Sequence, residues 1–161
     1  MSIWMIRPMP RAGHQPYGRP HTNKEDEMSE RNIAAVRRLT QEGFVGGQID
    51  VVDEVVAKDC VDHDPLPGQG QGRDGQRHTC QMVVDGLSNR STLQDEFLAV
   101  GDTVIENWIF QGTHTGDFLG LPATGKKLQV RGIEIWRLAD GKVIERWGVV
   151  DAAGVMEQLE S

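Results

Sequence analysis

Between Gln111 and Val150 the chain reads QGTHTGDFLGLPATGKK and then LQVRGIEIWRLADGKVIERWGVV. Titratable side chains stand here on strands that are otherwise apolar. Glu134 and Arg146 lie on either side of the Ala139-Asp140-Gly141 turn, within reach of each other across a hairpin. An arginine at bonding distance lowers a glutamate pKa and holds it as a carboxylate, so the pair offers a base for proton abstraction. The same two residues also suit a structural ion pair facing a cavity, because a buried pair does not by itself signal catalysis.

Two histidines extend the set. His114 has the strand parity of Trp108, Phe110 and Gly112, which puts it on their face. It either points into a pocket or anchors the Gly/Pro loop that follows. His63, inside Asp62-His63-Asp64, has acids on both sides to orient an imidazole that titrates near neutrality. It suits a general base or a hydrogen-bonded structural histidine. No second group with metal-ligand spacing accompanies it, so no metal is expected. Asp151 immediately precedes a helix and reads as its N-cap. Trp108, Phe110, Trp136 and Gly148 are the candidate substrate-contacting positions. The tryptophans suit the core as well, and Trp147 faces the other way. The QGQGRDG stretch lacks the lysine and the strand-to-helix setting of a phosphate loop and reads as a lid or connector.

The elements that must position these residues come in two blocks. Ser29 is placed as an N-cap, with Ile33, Val36, Leu39 and Phe44 at helical spacing and Gly46-Gly47 as the stop. Asp50 is placed as the cap of a short helix carrying Val51, Val52, Val55 and Val56. A third helix is expected from about Gln76 to Leu87. From Ser91 the period becomes two, giving four strands and then a short terminal helix with Val155, Met156 and Leu159 on one side. Helices followed by an antiparallel meander argue an α+β domain with helices packed on one face of a curved sheet.

The hairpin register decides what faces what. A two-residue Asp-Gly turn pairs Glu134 with Trp147. A three-residue loop with Gly141 in the left-handed region pairs Glu134 with Arg146, Trp136 with Ile144 and Gly132 with Gly148. The second is preferred because it sets opposite charges across from each other. One face then carries Gly132, Glu134, Trp136, Ile144, Arg146, Gly148 and Val150, and the other Ile133, Ile135, Val143, Trp147 and Val149. Both are too apolar to be wet, so helices over one face and a second copy over the other imply a homodimer.

Composition bounds the rest. The chain has 161 residues and a net charge of −7 with no basic stripe, which argues against nucleic acid as a partner. No apolar run approaches the length of a membrane helix. Cys60 and Cys80 fit no metal or redox spacing and read as reduced thiols of a cytoplasmic protein. Residues 1–28, which hold four of the seven prolines, read as a disordered extension, with Met28 opening a single domain over 29–161.

Three stretches, FVGGQIDVVDEVVAKDCVDHDPLPGQ, GTHTGDFLGLPATGKK and IEIWRLADGKVIERWGVVDAAG, resemble the SnoaL-like polyketide (ester) cyclases of the nuclear transport factor 2-like superfamily. The resemblance runs from Ser29 to Leu159. It implies a cone-shaped α+β fold, a curved antiparallel sheet wrapped around N-terminal helices with the pocket inside. It also implies ring closure by intramolecular aldol condensation, without metal or cofactor, on a hydrophobic small molecule. In that family an aspartate on the last strand is the acid/base, with histidines nearby. Here the aspartate falls on Gly148 and the two histidines on Glu134 and Arg146, while His114 and Asp151 are kept. The expected chemistry is then proton abstraction next to a carbonyl by Glu134. Arg146 and His114 or His63 would stabilise the enolate oxygen. The alternative is a binding protein of the same fold that has lost the chemistry. An epoxide-hydrolase-like variant needs an Asp-Arg-Asp set, of which only the arginine is evident.

Overall fold

The structure, a computed structural model, describes residues 23–160. The extension expected over 1–28 lies outside the described residues up to position 22. Helix α1 (Asn23–Arg37) already runs through Met28 and Ser29, so Ser29 sits inside a helix rather than at its cap. The helix continues as a π-helical segment, Arg38–Val45, ended at Gly46, whose N–H reaches the Gln41 carbonyl at 2.8 Å. Helix α2 (Val51–Val55) follows Asp50. The Asp50 carboxylate bonds Arg77 at 3.0 Å and makes no cap bond to the helix.

Strand β1 (Val56–Asp62), helix α3 (Gly72–Gly86), strands β2 (Leu87–Val100), β3 (Thr103–His114), β4 (Lys127–Ala139) and β5 (Lys142–Val150), and helix α4 (Ala152–Glu160) complete the order. Helix α3 starts four residues earlier than the sequence reading, at Gly72, and the first long strand starts at Leu87 rather than Ser91. The curved sheet runs β1-β5-β4-β3-β2, with β1 parallel to β5 and the other pairs antiparallel. The α+β class and the helix-covered curved sheet agree with expectation.

The β4–β5 hairpin corrects both proposed registers. Ala139 pairs with Lys142, so Asp140 and Gly141 form a two-residue turn, both with positive φ (51° and 75°) as a type I′ turn requires. The register then shifts between Arg137 and Leu138, so Arg137 pairs with Glu145 and Glu134 with Gly148. One extra residue on β5, Ile144, keeps Arg146, Gly148 and Val150 on the inner face. It also moves Val143 to that face, into the core with Trp136 and Leu138. The outer face keeps Ile133 and Val149 exposed at 53% and 73%.

Two apolar clusters divide the inner side. The first joins Val36, Leu39, Val52 and Val56 of the helical layer and β1 to Val104, Trp136, Leu138 and Val143. The second joins Val83 and Leu87 to Phe118, Leu128, Val130 and Val155. Between them along the strands lie two cross-strand rows that neither cluster fills. One is Phe97-Glu106-Glu134-Gly148 and the other is Asp95-Trp108-Gly132-Val150. That gap holds the site.

Candidate active site

A cavity of about 780 Å³ opens over these rows. Its floor is Glu106, Trp108, Phe110, Glu134, Arg146 and Gly148. Phe44 of the π-helical segment, Met82 and Val83 of α3, Phe118 and Leu119 of the loop and Met156 of α4 supply apolar walls. Volume and lining suit a small molecule.

Arg146 is the centre of that polar end and is buried. It donates to Glu134 Oε1 from Nη2 at 2.6 Å and from Nε at 3.1 Å. Nη1 donates to both Asp62 oxygens, at 3.0 and 3.2 Å, and to the Asp64 carbonyl at 3.1 Å. Burial opposes the arginine's charge, but Glu134 and Asp62 more than offset it and keep Arg146 protonated. Both contacts with Glu134 fall on Oε1, so Oε2 is the oxygen the arginine does not hold.

Gly148 makes the pair possible. A Cβ at this position would lie 2.5 Å from Arg146 Nη2 and 3.0 Å from Glu134 Cγ. A side chain at position 148 would therefore collide with the guanidinium, and the nearest carboxyl is that of Glu134 on the facing strand. Arg146 was expected to lower the Glu134 pKa. It does act in that direction, but burial is the larger effect and leaves the carboxyl above its ordinary value. A carboxylate raised in this way is a stronger base than one in water.

Asp62 is the acid that sequence reasoning treated only as a neighbour of His63. It is 3% exposed. Gln69 and Gln76 each donate to Oδ2 at 2.7 Å, and Gln71 exchanges bonds with the Asp62 backbone. The Gln-Gly connector is therefore a clasp around Asp62. An acid-arginine-acid set does exist in Asp62, Arg146 and Glu134. Asp62 is nevertheless enclosed by its donors and does not line the cavity, so it positions Arg146.

Three expected site residues lie elsewhere. His63 is on the outer face, stacked on Trp147 with ring centroids 4.2 Å apart and bonded to Glu145 at 2.9 Å. Strand β1 ends at Asp62, and its alternation sends Asp62 inward and His63 outward, which removes His63 from the pocket. His114 is on the inner face but lies past the cavity. Its Nδ1 meets Thr124 Oγ1 at 3.0 Å, and its backbone pairs with Gly125 and Lys126, so it anchors the loop. Trp136, 1% exposed, lies beneath the floor. Its ring packs under Arg146 at 5.9 Å, and its indole N–H donates to Glu106 Oε2 at 3.1 Å. Trp108, Phe110 and Gly148 do line the cavity. Asp151 caps α4 through Gly154 N–H at 2.9 Å, as expected.

Glu106 was not singled out from sequence. It is 1% exposed and lines the cavity opposite Glu134. Its inner-face parity with Val104 and Trp108 was a usable signal. Among the described residues no group of three or more His, Cys, Asp or Glu is arranged to hold a metal ion.

Comparison with known proteins fits this architecture. The aklanonic acid methyl ester cyclase DnrD of Streptomyces peucetius is 25% identical over 132 residues, covering 79% of this chain and 89% of that protein. A SnoaL-like protein of Jannaschia sp. CCS1 shares the fold with a TM-score of 0.72 at 23% identity, covering 89% of this chain and 99% of that one. TsrD from Streptomyces laurentii does so with a TM-score of 0.69 at 24% identity, covering 78% and 95%. Residues 34–159, from the last turn of α1 to the last turn of α4 and including every residue that lines the cavity, match the SnoaL-like polyketide cyclase pattern, and the chain belongs to that family.

Proposed function

We propose that this protein is a cyclase-type enzyme that removes a proton next to a carbonyl of a hydrophobic small molecule, with Glu134 as the base and no cofactor. The observation that carries this is the Glu134 carboxyl on the floor of a largely apolar cavity, oriented by Arg146 and raised in basicity by burial. Proton transfer to a positioned carboxylate gives an enolate. That carbon then attacks a second carbonyl of the same molecule to close a ring, or is reprotonated elsewhere to isomerise it. The second Nη2 hydrogen of Arg146 is not spent on Glu134. Nη2 lies over Gly148 on the cavity side, where it can stabilise the oxygen that gains charge.

The test uses aklanonic acid methyl ester, the compound named in the activity of the Streptomyces peucetius relative. Wild type should convert it to a cyclised isomer of equal mass, and Glu134→Gln should lower kcat by about 100-fold or more with binding kept within a few-fold. Binding without conversion by wild type would favour the alternative, a ligand-binding protein of the same fold, for which Gly148 at the family's acid/base position speaks. We further propose a homodimer formed through the outer sheet face, and a cytoplasmic setting in which the free thiols of Cys60 and Cys80 stay reduced.

A further inference from the structure

Glu106 receives no guanidinium comparable to the one that holds Glu134. Its Oε2 accepts the Trp136 indole N–H at 3.1 Å. On β2, one cross-strand row away, stands Asp95, and the two acids act on each other electrostatically. Gln41 Nε2 donates to Asp95 Oδ2 at 2.8 Å, while Asp95 Oδ1 is buried and has no hydrogen-bond partner among the described residues.

The charges around the pair favour the protonated form of Glu106. Glu134 faces Glu106 from β4 and Asp95 faces it from β2, both negative. Arg37 of α1 acts on Asp95, and Arg146 is engaged with Asp62 and Glu134. Burial first, and then these two acids, push the Glu106 carboxyl up to about 9.

We propose that Glu106 is a second catalytic residue, the proton donor of the site, delivering its carboxyl hydrogen into the cavity it lines opposite Glu134, to an oxygen of the molecule that Glu134 deprotonates. This rests on the reading of Glu134 as the base. Glu134 takes the α-proton, the C–H pair becomes the enol double bond, and the carbonyl π pair moves onto oxygen, which takes the Glu106 proton. When the enol carbon bonds the second carbonyl, the new alkoxide takes the proton from Glu134, and the first oxygen returns its own to Glu106. Both carboxyls end as they began, with no oxidant or reductant consumed. Asp95 is a positioning residue. The ligand class is a carbonyl compound with an acidic neighbouring C–H.

Infrared difference spectroscopy of the free protein, with carbon-13-labelled glutamate, tests the donor without any substrate. A protonated glutamate carbonyl band is expected at pH 7. It should vanish in Glu106→Gln, persist in Glu134→Gln, and titrate at lower pH in Asp95→Asn. Because Glu106 borders the cavity, the band should shift within the mixing time on transfer to deuterium oxide. A wild-type protein without the band, a band that survives Glu106→Gln, or one that exchanges only on unfolding would overturn the proposal. Glu106→Gln keeps an acceptor for Trp136, and circular dichroism checks that it folds. The band is read independently of whether Glu134→Gln loses turnover, so failure of the donor and failure of the base are distinguishable.

Discussion

Gly148 stands directly across the β4–β5 ladder from Glu134, and the space beyond its α-carbon is taken by the Arg146 guanidinium. Adding even a methyl group there forces the arginine off Glu134, because the nearest atoms are the charged head itself and the glutamate stem. Gly148→Ala should therefore loosen the ion pair, lower stability by about 1–3 kcal/mol and reduce turnover. Urea denaturation and kinetics check both. A variant as stable and active as wild type would mean that the pair tolerates displacement and that the glycine is incidental.

Removing the arginine has a larger effect. Arg146→Met leaves Glu134 and Asp62 facing each other in the interior without their shared cation. Breaking one side of a buried ionic set costs about 3–5 kcal/mol, since the remaining charges stay desolvated. The expected outcome is a large drop in denaturation midpoint at neutral pH. Replacing Glu134 by Gln should cost much less, because Arg146 retains Asp62.

The Glu106 carboxyl makes stability depend on pH in a specific direction. Its pKa is about 9 folded against 4.5 for the ordinary group. Between those values the folded state holds a proton that the unfolded chain has lost. This contribution to stability is therefore complete below pH 4.5 and falls as pH rises, until about 9. Glu106→Gln carries no such titration. It should be more stable than wild type at pH 7 by on the order of 1–3 kcal/mol, with the advantage shrinking toward pH 4.5. Parallel denaturation curves for the two proteins between pH 5 and 8 would contradict the assignment.

The pattern of what could be read beforehand follows from which contacts are local. Parity put Arg146 and Gly148 on one face, and the preferred hairpin register put Glu134 there with them; that register was off by two residues, and alternation survives an even error. The bulge at Ile144 was not readable. Nothing in that residue marks an extra position, and it is set by how β5 pairs with both β4 and β1. That Asp62 rather than His63 turns inward was not readable for the same reason. Which of two adjacent residues turns inward depends on where β1 docks against β5, far away in sequence. Glu106 had the correct parity, but its raised pKa comes first from burial and then from β2 and β4 neighbours, all of which only the assembled sheet provides.

Cys60 and Cys80 are 2% and 0% exposed, and burial pushes both thiols up to about 11. The thiolate is the reactive form, so at pH 8 neither should react with a thiol reagent in the native protein. Both should titrate fully once the chain is unfolded in guanidinium. Rapid reaction of either thiol under native conditions would show that the helical layer opens readily over the first core cluster.

The outer face makes the last prediction. Leu98, Ile105, Ile135 and Trp147 form one cross-strand row there, with Ile133 and Val149 paired in the next. Leu98, Ile133 and Val149 are more than half exposed. Exposed apolar side chains grouped on one sheet face, bordered by polar ones, are a usual mark of an interface, and a second copy of the same surface suits it. The wild-type protein should sediment as a dimer at micromolar concentration. Ile133→Lys combined with Val149→Lys should convert it to a monomer with an unchanged far-ultraviolet spectrum, since both lysines point into water when the partner is absent. If the wild-type protein is already monomeric at high concentration, the face is open in solution and the homodimer proposal fails.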